Sequence, residues 1–522
     1  MNKFFNLLGF DAEKKQTSVK TEIIAGIVTF LAMAYILTVN PNQVVGSSSV
    51  YWSSVFMATA FGAVIGTLLM AFLAKMPLAQ ASGMGLNSMV GGLIGGWSFF
   101  AADGTGITFT VGQVFMLVLI SGLIFMLLSL IKIKGKTFRE LVFDGMPVAV
   151  RSAISVGIGL FIAYIGFQNA GVIVRNDYTQ VAFVDFTNWG DQVVNSGTIV
   201  WGEDGLGATN AFSGTVKFAA AKTAVVAIVG LFLISILDKL NVKGSVIIGI
   251  LGATVVGIPL GVTDLSILTN AEGWKFWNNY ADFFAGENTV FGSFVSVFKE
   301  GLIPAGISVF TIIMLIVTFC MIDMFDTMGT IVGCCAGNRV LSDENNKPHN
   351  YGKIMISDSI ATCTGAMLGT STVTTFVESG AGVSAGGRTG LTAFTTACMF
   401  LLAIFAMPLF AMIPSAATAA ALIYVGVLMM KNNVKNVDFG NAINATTGFL
   451  TIVVMVLSYS ITKGIGIGML SYTVMSAIAY LVEFIKFKMS KNEEAEAPKW
   501  NVSVVALVVT ALFIVYFFVP VV

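Results

Sequence analysis

Residues 370–387, TSTVTTFVESGAGVSAGG, place β-branched residues, glycines and one acidic side chain inside an otherwise apolar region. The part at 372–377 favours extended backbone, and the glycines after it accept conformations that interrupt a regular helix. Residues 79–96, AQASGMGLNSMVGGLIGG, have a similar make-up, with an asparagine as the polar side chain. Each segment is therefore predicted to form a short strand followed by a half-length helix.

The composition is that of a polytopic membrane protein. Of 522 residues, 56% are hydrophobic and 11% are charged, and the mean hydropathy is +0.87. Soluble domains carry about 25% charged residues, so this chain has too little polar surface to fold in water. Its formal net charge is zero, which argues against a polyanion such as nucleic acid as a partner.

Few residues in the chain bind metals or act as nucleophiles. The cysteines lie in apolar segments without a CxxC pair, and the single histidine, His349, lies in a polar loop. Zinc sites and catalytic clusters need several such groups together. We therefore expect no metal, no cofactor and no enzymatic activity, with an intramembrane aspartyl enzyme as the remote alternative. The chain also lacks a GxxxxGK[ST] motif, so an ion or substrate gradient must supply the energy.

Apolar segments of about 20 residues, the length of a membrane helix, predict fourteen crossings. Lys and Arg concentrate in the N-terminus and in the loops on its side, whereas the long loops at 169–216 and 262–304 contain few. Because cytoplasmic loops are enriched in Lys and Arg, the N-terminus is predicted to be cytoplasmic. A further apolar segment, 502–520, either crosses the membrane or lies on its surface.

The two halves of the chain resemble each other. KGSVIIGILGATVVGI at 243–258 is similar to KGIGIGMLSYTVMSAI at 463–478, and the two broken segments are also seven spans apart. An odd offset places the second copy upside down. Inverted repeats with broken helices are typical of secondary transporters, whose binding sites lie at the breaks, and they fit a channel less well. Chance similarity of glycine-rich sequence is the alternative.

Four acidic residues fall within predicted spans eight to ten. Asp323 and Asp326 share a helix face, Asp358 lies in the next span, and Glu378 lies in the broken segment. Each costs roughly 2.5–3.5 kcal/mol at the centre of a membrane helix. They are candidates to carry a proton or to accept hydrogen bonds from a ligand. The alternative is a structural role, which we favour for Asp358 and also for Arg388, in the turn after the broken segment.

Several stretches resemble the AzgA-like adenine/guanine/hypoxanthine permeases, of the nucleobase–cation symporter-2 group. They are TEIIAGIVTFLAMAYILTVNP (21–41), ASGMGLNSM (81–89), DMFDTMGT (323–330), SDSIATCTGAMLGTSTVTTFVESGAGVSAGGRTGLTA (357–393) and IPSAATAAALIYVGVLM (413–429). The resemblance runs from about residue 20 to residue 487. Family members more usually have APGMGLNA where this chain has Ser82 and Ser88, which leaves the purine preference open.

The resemblance implies an all-α polytopic fold with fourteen transmembrane segments in two inverted repeats of seven. Spans 1–4 and 8–11 would form a core domain, and spans 5–7 and 12–14 a gate domain. The predicted regions are the N-terminal lead 1–20, the core halves 21–135 and 305–413, the gate halves 140–304 and 414–487, and the C-terminal tail with its extra helix, 488–522.

The resemblance also implies an importer of purine nucleobases, coupled to protons, in the cell membrane and commonly a homodimer. The base would lie between the strands of spans three and ten, against span eight. The predicted substrate-binding residues are Gly85, Asn87, Asp323, Asp326, Thr375, Phe376, Glu378 and Ser379, of which Asp323, Asp326 and Glu378 would carry the proton. Phe376 or Phe325 would stack on the base, unless both only pack helices. Another nucleobase, such as uracil or xanthine, and coupling to sodium are the alternatives.

Overall fold

The structure is a computed structural model. It describes residues 16–46, 49–95, 107–133, 136–137, 145–176, 180–187, 189, 192–201, 208–218, 220–269, 283, 289–304, 307–335, 340–342, 348–489 and 497–518. Seven helices among these residues are long and apolar enough to cross a membrane: Val19–Val44, Trp52–Ala74, Val111–Leu130, Val148–Asn169, Ala221–Lys239, Gly390–Ala411 and Ile461–Met489. The predicted class, a helical polytopic membrane protein, is confirmed, whereas the count of fourteen crossings stays a prediction.

Helices account for most of the described chain. They are α1 (Val19–Met33), α2 (Ile36–Val44), α3 (Trp52–Leu69), α4 (Met84–Ile94), α5 (Val111–Leu130), α6 (Val148–Asn169), α7 (Ala220–Lys239), α8 (Ser245–Gly257), α9 (Ser266–Thr269), α10 (Val290–Glu300), α11 (Val309–Cys335), α12 (Tyr351–Leu368), α13 (Ser379–Ser384), α14 (Gly390–Ala403), α15 (Met407–Ala411), α16 (Ser415–Asn433), α17 (Ala442–Leu457), α18 (Ile461–Met489) and α19 (Val504–Phe518). The strands are β1 (Gln80–Ser82), β2 (Lys132–Ile133), β3 (Lys136–Thr137), β4 (Ile173–Asn176), β5 (Gln180–Phe183), β6 (Gln192–Trp201), β7 (Ala208–Phe218) and β8 (Val373–Thr375).

The two broken segments meet in a short antiparallel sheet. Strand β1 pairs with β8, so that Gln80 is opposite Thr375 and Ser82 is opposite Val373. The Thr67 hydroxyl satisfies the backbone of the strand end, because it accepts from the Gln80 N–H and donates to the Gln80 carbonyl, both at 3.0 Å. Each strand leads into a short helix, α4 or α13. The predicted strand and half-helix are therefore confirmed in both segments.

Close packing of α13 against α1 holds the second broken segment in place. A Cβ on Gly382 would overlap Thr29 Oγ1 and lie 2.9 Å from the carbonyl oxygen of Ala25. We therefore expect Gly382→Ala to destabilise the protein by about 1–3 kcal/mol, since overpacking forces the two helices apart. The measurement is the apparent Tm in detergent. Gly380→Ala is the matched control on the same helix, because its Cβ would meet only Cys334 Sγ, at 3.8 Å.

The predicted outer loop at 169–216 contains regular structure that the sequence analysis did not predict. Strands β4 and β5 form one antiparallel hairpin, and β6 and β7 form a second, longer one. The sequences QVVNSGTIVW and ATNAFSGTVKF of the longer hairpin are rich in the β-branched residues that favour strands. The sequence analysis treated this region as a loop because it is long and has low hydropathy, and so did not predict the strands.

The described chain divides into two compact units, one in Met1–Ser129 and Tyr164–Tyr424, the other in Leu130–Ala163 and Val425–Val521. The extra C-terminal helix, α19, belongs to the second unit and packs on α18. The hydroxyls of Thr473 and Thr510 are hydrogen-bonded at 2.8 Å, and the absence of a side chain at Gly466 lets the Phe513 ring approach the α18 backbone. The predicted core and gate domains stay a prediction.

Candidate functional site

Glu378 stands at the junction between β8 and α13. Its side chain is only 7% exposed. Oε1 accepts a hydrogen bond of 2.5 Å from the Tyr35 hydroxyl, whereas Oε2 has no hydrogen-bond partner within the described chain. An unpartnered buried polar atom costs about 1–3 kcal/mol. One oxygen of this carboxyl group is therefore held in place, and the other is available to a ligand.

Asp326 contacts the paired strands from α11. Its carboxylate accepts a hydrogen bond of 3.4 Å from Thr374 Oγ1, and the residue is half-buried. A Cβ on Gly83 would lie 3.2 Å from the hydroxyl oxygens of Thr374 and Thr372, so the glycine keeps this face of the sheet open. The Thr372 hydroxyl, like Glu378 Oε2, is buried without a described partner. These groups supply hydroxyls and a carboxylate on one face of the strands.

Asn87 lies one turn into α4 and is fully buried. Its backbone N–H donates to the Gly83 carbonyl at 3.1 Å, and its Oδ1 accepts from the Ser371 hydroxyl. The Nδ2 group has no hydrogen-bond partner among the described residues. Asn87 can therefore donate to a ligand, where Glu378 can accept from one.

The other two intramembrane aspartates make contacts between helices. Asp323 accepts a hydrogen bond of 3.2 Å from Thr362 Oγ1 of α12. Asp358 accepts from Thr327 Oγ1 at 2.9 Å and from Gln80 Nε2 at 3.0 Å. These hydrogen bonds join Asp358 to neighbouring elements, which fits the structural role that the sequence favoured for it. Asp323 lies three residues before Asp326 on α11, but its described contact is with α12.

Three of the predicted site residues join the broken segments to each other. Thr375 Oγ1 accepts from Gln80 Nε2 at 3.4 Å, on the opposite face of β8 from its neighbour Thr374. The Ser379 hydroxyl accepts from the Ala79 N–H at 3.0 Å, and the Phe376 N–H donates to the Ala79 carbonyl at 3.0 Å.

The remaining candidates are the two aromatic rings proposed to stack on the base and Gly85. The Phe376 ring is 4% exposed, and the side chain of Phe325 lies outside the described residues. Gly85 lies in the first turn of α4, two residues after Gly83. The stacking role predicted for either aromatic ring stays a prediction.

Tyr35 and Thr374 are functional candidates that the sequence analysis missed. Tyr35 lies where the first apolar segment is interrupted between α1 and α2, and its hydroxyl reaches Glu378. The signal for Thr374 was the period of two along a strand, which separates it from Thr375. No comparable signal identified Tyr35, because a lone tyrosine in an apolar run is typical of helix packing.

Glu22 forms a second buried carboxylate site, between α1 and the start of α14. Its Oε1 accepts from the Arg388 N–H at 2.8 Å. Its Oε2 accepts from the N–H and hydroxyl groups of Thr389 and of Thr392 at 2.6–3.2 Å. The Arg388 guanidinium donates to the carbonyls of Val383 and Gly387, so it orders the turn as expected. Glu22 therefore caps the N-terminus of α14, where a negative charge is favourable.

Comparison with known proteins identifies the family of this chain. Residues 20–200 and 191–467 match the model of the Permease family. The chain belongs to this family. An adenine permease of Escherichia coli (strain K12) is 33% identical over 468 residues, which are 89% of each chain. A guanine/hypoxanthine permease of Bacillus subtilis (strain 168) is 33% identical over 470 residues, 90% of this chain and 94% of its own.

These relatives confirm the resemblance noted in the sequence, and they make this permease a transport protein rather than an enzyme. Its fold is also found among solved transporters. The transmembrane domain of a cyanobacterial bicarbonate transporter, BicA, superimposes with a TM-score of 0.55 at 16% sequence identity. The match covers 85% of the permease and 96% of that chain. At this identity the likeness establishes the fold alone.

Proposed function

We propose that this permease imports purine nucleobases across the cell membrane in symport with protons. Relatives with a third of their residues in common, over nine-tenths of the chain, are named adenine and guanine/hypoxanthine permeases. The family match spans residues 20–467, so both broken segments and α11 lie within it. The names of the relatives indicate the substrate class, and the site residues supply the groups that would bind it.

The observation that carries the proposal is a pair of buried atoms, Glu378 Oε2 and Asn87 Nδ2, neither of which has a hydrogen-bond partner in the part of the chain that the structure describes. They belong to the two broken segments, which the β1–β8 pairing brings together. A purine is flat and uncharged, and its edge carries N–H donors and ring-nitrogen acceptors. The carboxylate oxygen can accept from a ring N–H, and the amide can donate to a ring nitrogen or a carbonyl. Asp326 and Thr374 add a second carboxylate and a hydroxyl.

An inorganic anion is a poorer fit to the same site, although the fold is shared with a bicarbonate transporter. Glu378 and Asp326 would repel an anion, since like charges at close range are unfavourable. A different nucleobase, uracil or xanthine, would present similar groups to these residues. The choice of a purine rests on the named relatives.

Proton coupling is proposed for Glu378 and Asp326, with Asp323 as the third predicted carrier. A bare carboxylate in an occluded site opposes movement of the site through the membrane, and protonation removes that charge. In this scheme the core domain moves against the gate domain in an elevator-type cycle, and the base and the proton leave together on the other side. A cytoplasmic N-terminus and a homodimer belong to the same proposal.

The test is uptake of radiolabelled adenine, guanine and hypoxanthine into proteoliposomes. One set of vesicles carries an inward proton gradient, a second carries an inward sodium gradient, and a third carries no gradient. We expect accumulation of at least one purine with the proton gradient, and only equilibration without it. Uracil, xanthine and sulphate are the competing substrates. Accumulation driven by sodium would contradict the coupling, and transport of a competing substrate without any purine would contradict the cargo.

A further inference from the structure

Tyr35 lies at a third interruption of a membrane helix, beside the two in the paired segments. Helix α1 ends at Met33, and α2 begins at Ile36. Between them the Leu37 N–H donates to the Ala34 carbonyl at 3.2 Å, as in a tightened turn. The Tyr35 side chain is 0% exposed. The interruption therefore places a phenol hydroxyl inside the protein rather than in lipid.

The Tyr35 hydroxyl contacts both broken segments. It donates to Glu378 Oε1 at 2.5 Å, and it lies 3.7 Å from the Met84 sulfur at the start of α4. A phenol has a single hydrogen to donate. The carboxylate is the stronger acceptor, because hydrogen bonds to charged groups are shorter and stronger than neutral ones. Oε1 of Glu378 is consequently occupied before any ligand arrives.

We propose that Tyr35 is a positioning residue that directs Oε2 of Glu378 toward the base and determines which carboxyl oxygen carries the coupled proton. This inference rests on the proposed function. With Oε1 accepting the Tyr35 hydrogen, a proton taken up by Glu378 resides on Oε2. The protonated group then donates Oε2–H to an acceptor on the base, and the charged group accepts an N–H through the same atom.

Among the residues that the structure describes, the Tyr35 hydroxyl is the side chain that donates a hydrogen bond to Glu378. Of the described titratable groups, Asp326 and Cys334, both on α11, also interact electrostatically with this carboxyl group. Asp326 is an acceptor when charged and is bonded to Thr374. The Cys334 thiol points to the Val377 carbonyl, at 3.4 Å. Holding the carboxyl group in one orientation before binding saves the free energy of ordering it in the complex.

The test measures equilibrium binding of purines to wild-type protein and to Tyr35→Phe. Each is titrated with a parent purine and with analogues in which one edge group is removed, such as deaza and N-methyl derivatives. We expect Tyr35→Phe to weaken binding of the parent about 10-fold, the effect of about 1.4 kcal/mol. For the analogue that lacks the group facing Glu378, the same substitution should weaken binding by less than about 3-fold. Tyr472→Phe on α18 is the matched control and should bind as wild type does.

Each outcome bears on one proposal or on both. A loss that is equal for all analogues, or no loss at all, would overturn the role of Tyr35 and leave purine transport standing. If wild-type protein binds no purine, the proposed function fails, and the role of Tyr35 fails with it. The apparent Tm of each variant is measured as well, as a check that the variant is folded. Phe retains the ring and removes only the hydroxyl.

Infrared difference spectra of wild-type protein give a second measurement that does not depend on the Phe variant. The carboxylic-acid band that disappears in Glu378→Gln belongs to the protonated Glu378. If the proton is on Oε2, the carbonyl oxygen is Oε1, which accepts the Tyr35 hydrogen bond. We therefore expect the band at the lowered frequency of a hydrogen-bonded carbonyl. A band at the frequency of a free carbonyl would overturn the assignment.

Discussion

Glu378→Gln is expected to reduce purine accumulation driven by a proton gradient by about 100-fold or more. The substitution preserves size but removes the charge, and a hydrogen bond to a charged group contributes about 1.5–3 kcal/mol. It also removes one of the carboxyl groups proposed to carry the proton, so the remaining transport should respond less to the gradient. Initial uptake rates in proteoliposomes, with and without the gradient, measure both effects.

The control for this substitution is Glu483→Gln, the same chemical change at an exposed position on α18. Exchange of labelled for unlabelled purine, measured without a gradient, separates the two roles of Glu378. If the variant still exchanges purine but does not accumulate it, Glu378 carries the proton and contributes less to binding. Accumulation at the wild-type rate would refute both assignments and would direct attention to Asp326.

Glu22→Ala is expected to lower the stability of the protein by about 3 kcal/mol or more, with little dependence on substrate. The substitution removes the acceptor for five donors at the start of α14, which belong to Arg388, Thr389 and Thr392. Each buried donor left without a partner costs about 1–3 kcal/mol, although water and local rearrangement recover part of this sum. The negative charge at the helix N-terminus is lost as well. Apparent Tm in detergent is the measurement.

Glu22→Gln should have a Tm between those of the wild type and Glu22→Ala. The amide oxygen of Gln can still accept hydrogen bonds, but its NH₂ group faces other donors. Glu483→Ala provides the control for removal of an exposed carboxylate and should change the Tm little. If Glu22→Ala is as stable as wild type yet transports poorly, Glu22 acts in the transport cycle, and its capping contacts contribute little to the fold.

Much of the fold could be predicted from the sequence because its signals are local or additive. Apolar runs establish the membrane class by summed transfer free energy. The β-branched and glycine-rich make-up of 79–96 and 370–387 predicts a strand and a half-helix in each, whatever their neighbours are. The hairpins at 173–183 and 192–218 had a similar local signal, but it lies in a loop that hydropathy alone describes as polar.

The partners of the site residues depended on contacts between distant parts of the chain. Tyr35 and Glu378 are separated by 343 positions, and Glu22 and Arg388 by 366. No local preference of either residue specifies such a pair. The sequence pointed to Thr375, but the residue beside Asp326 is Thr374. The strand register decides this, because it pairs Gln80 with Thr375 and leaves Thr374 facing α11.

The sequence by itself determined that this protein lies in the membrane, that the segments 79–96 and 370–387 are broken, and that the acidic residues of spans eight to ten lie in apolar surroundings. Hydrophobicity and backbone preference are properties of short stretches, so they can be read without a fold. Only the tertiary structure decided that Asp358 and Glu22 are satisfied by hydrogen bonds, while one oxygen of Glu378 has no hydrogen-bond partner among the described residues. The role of a buried carboxylate depends on the donors that packing brings to it.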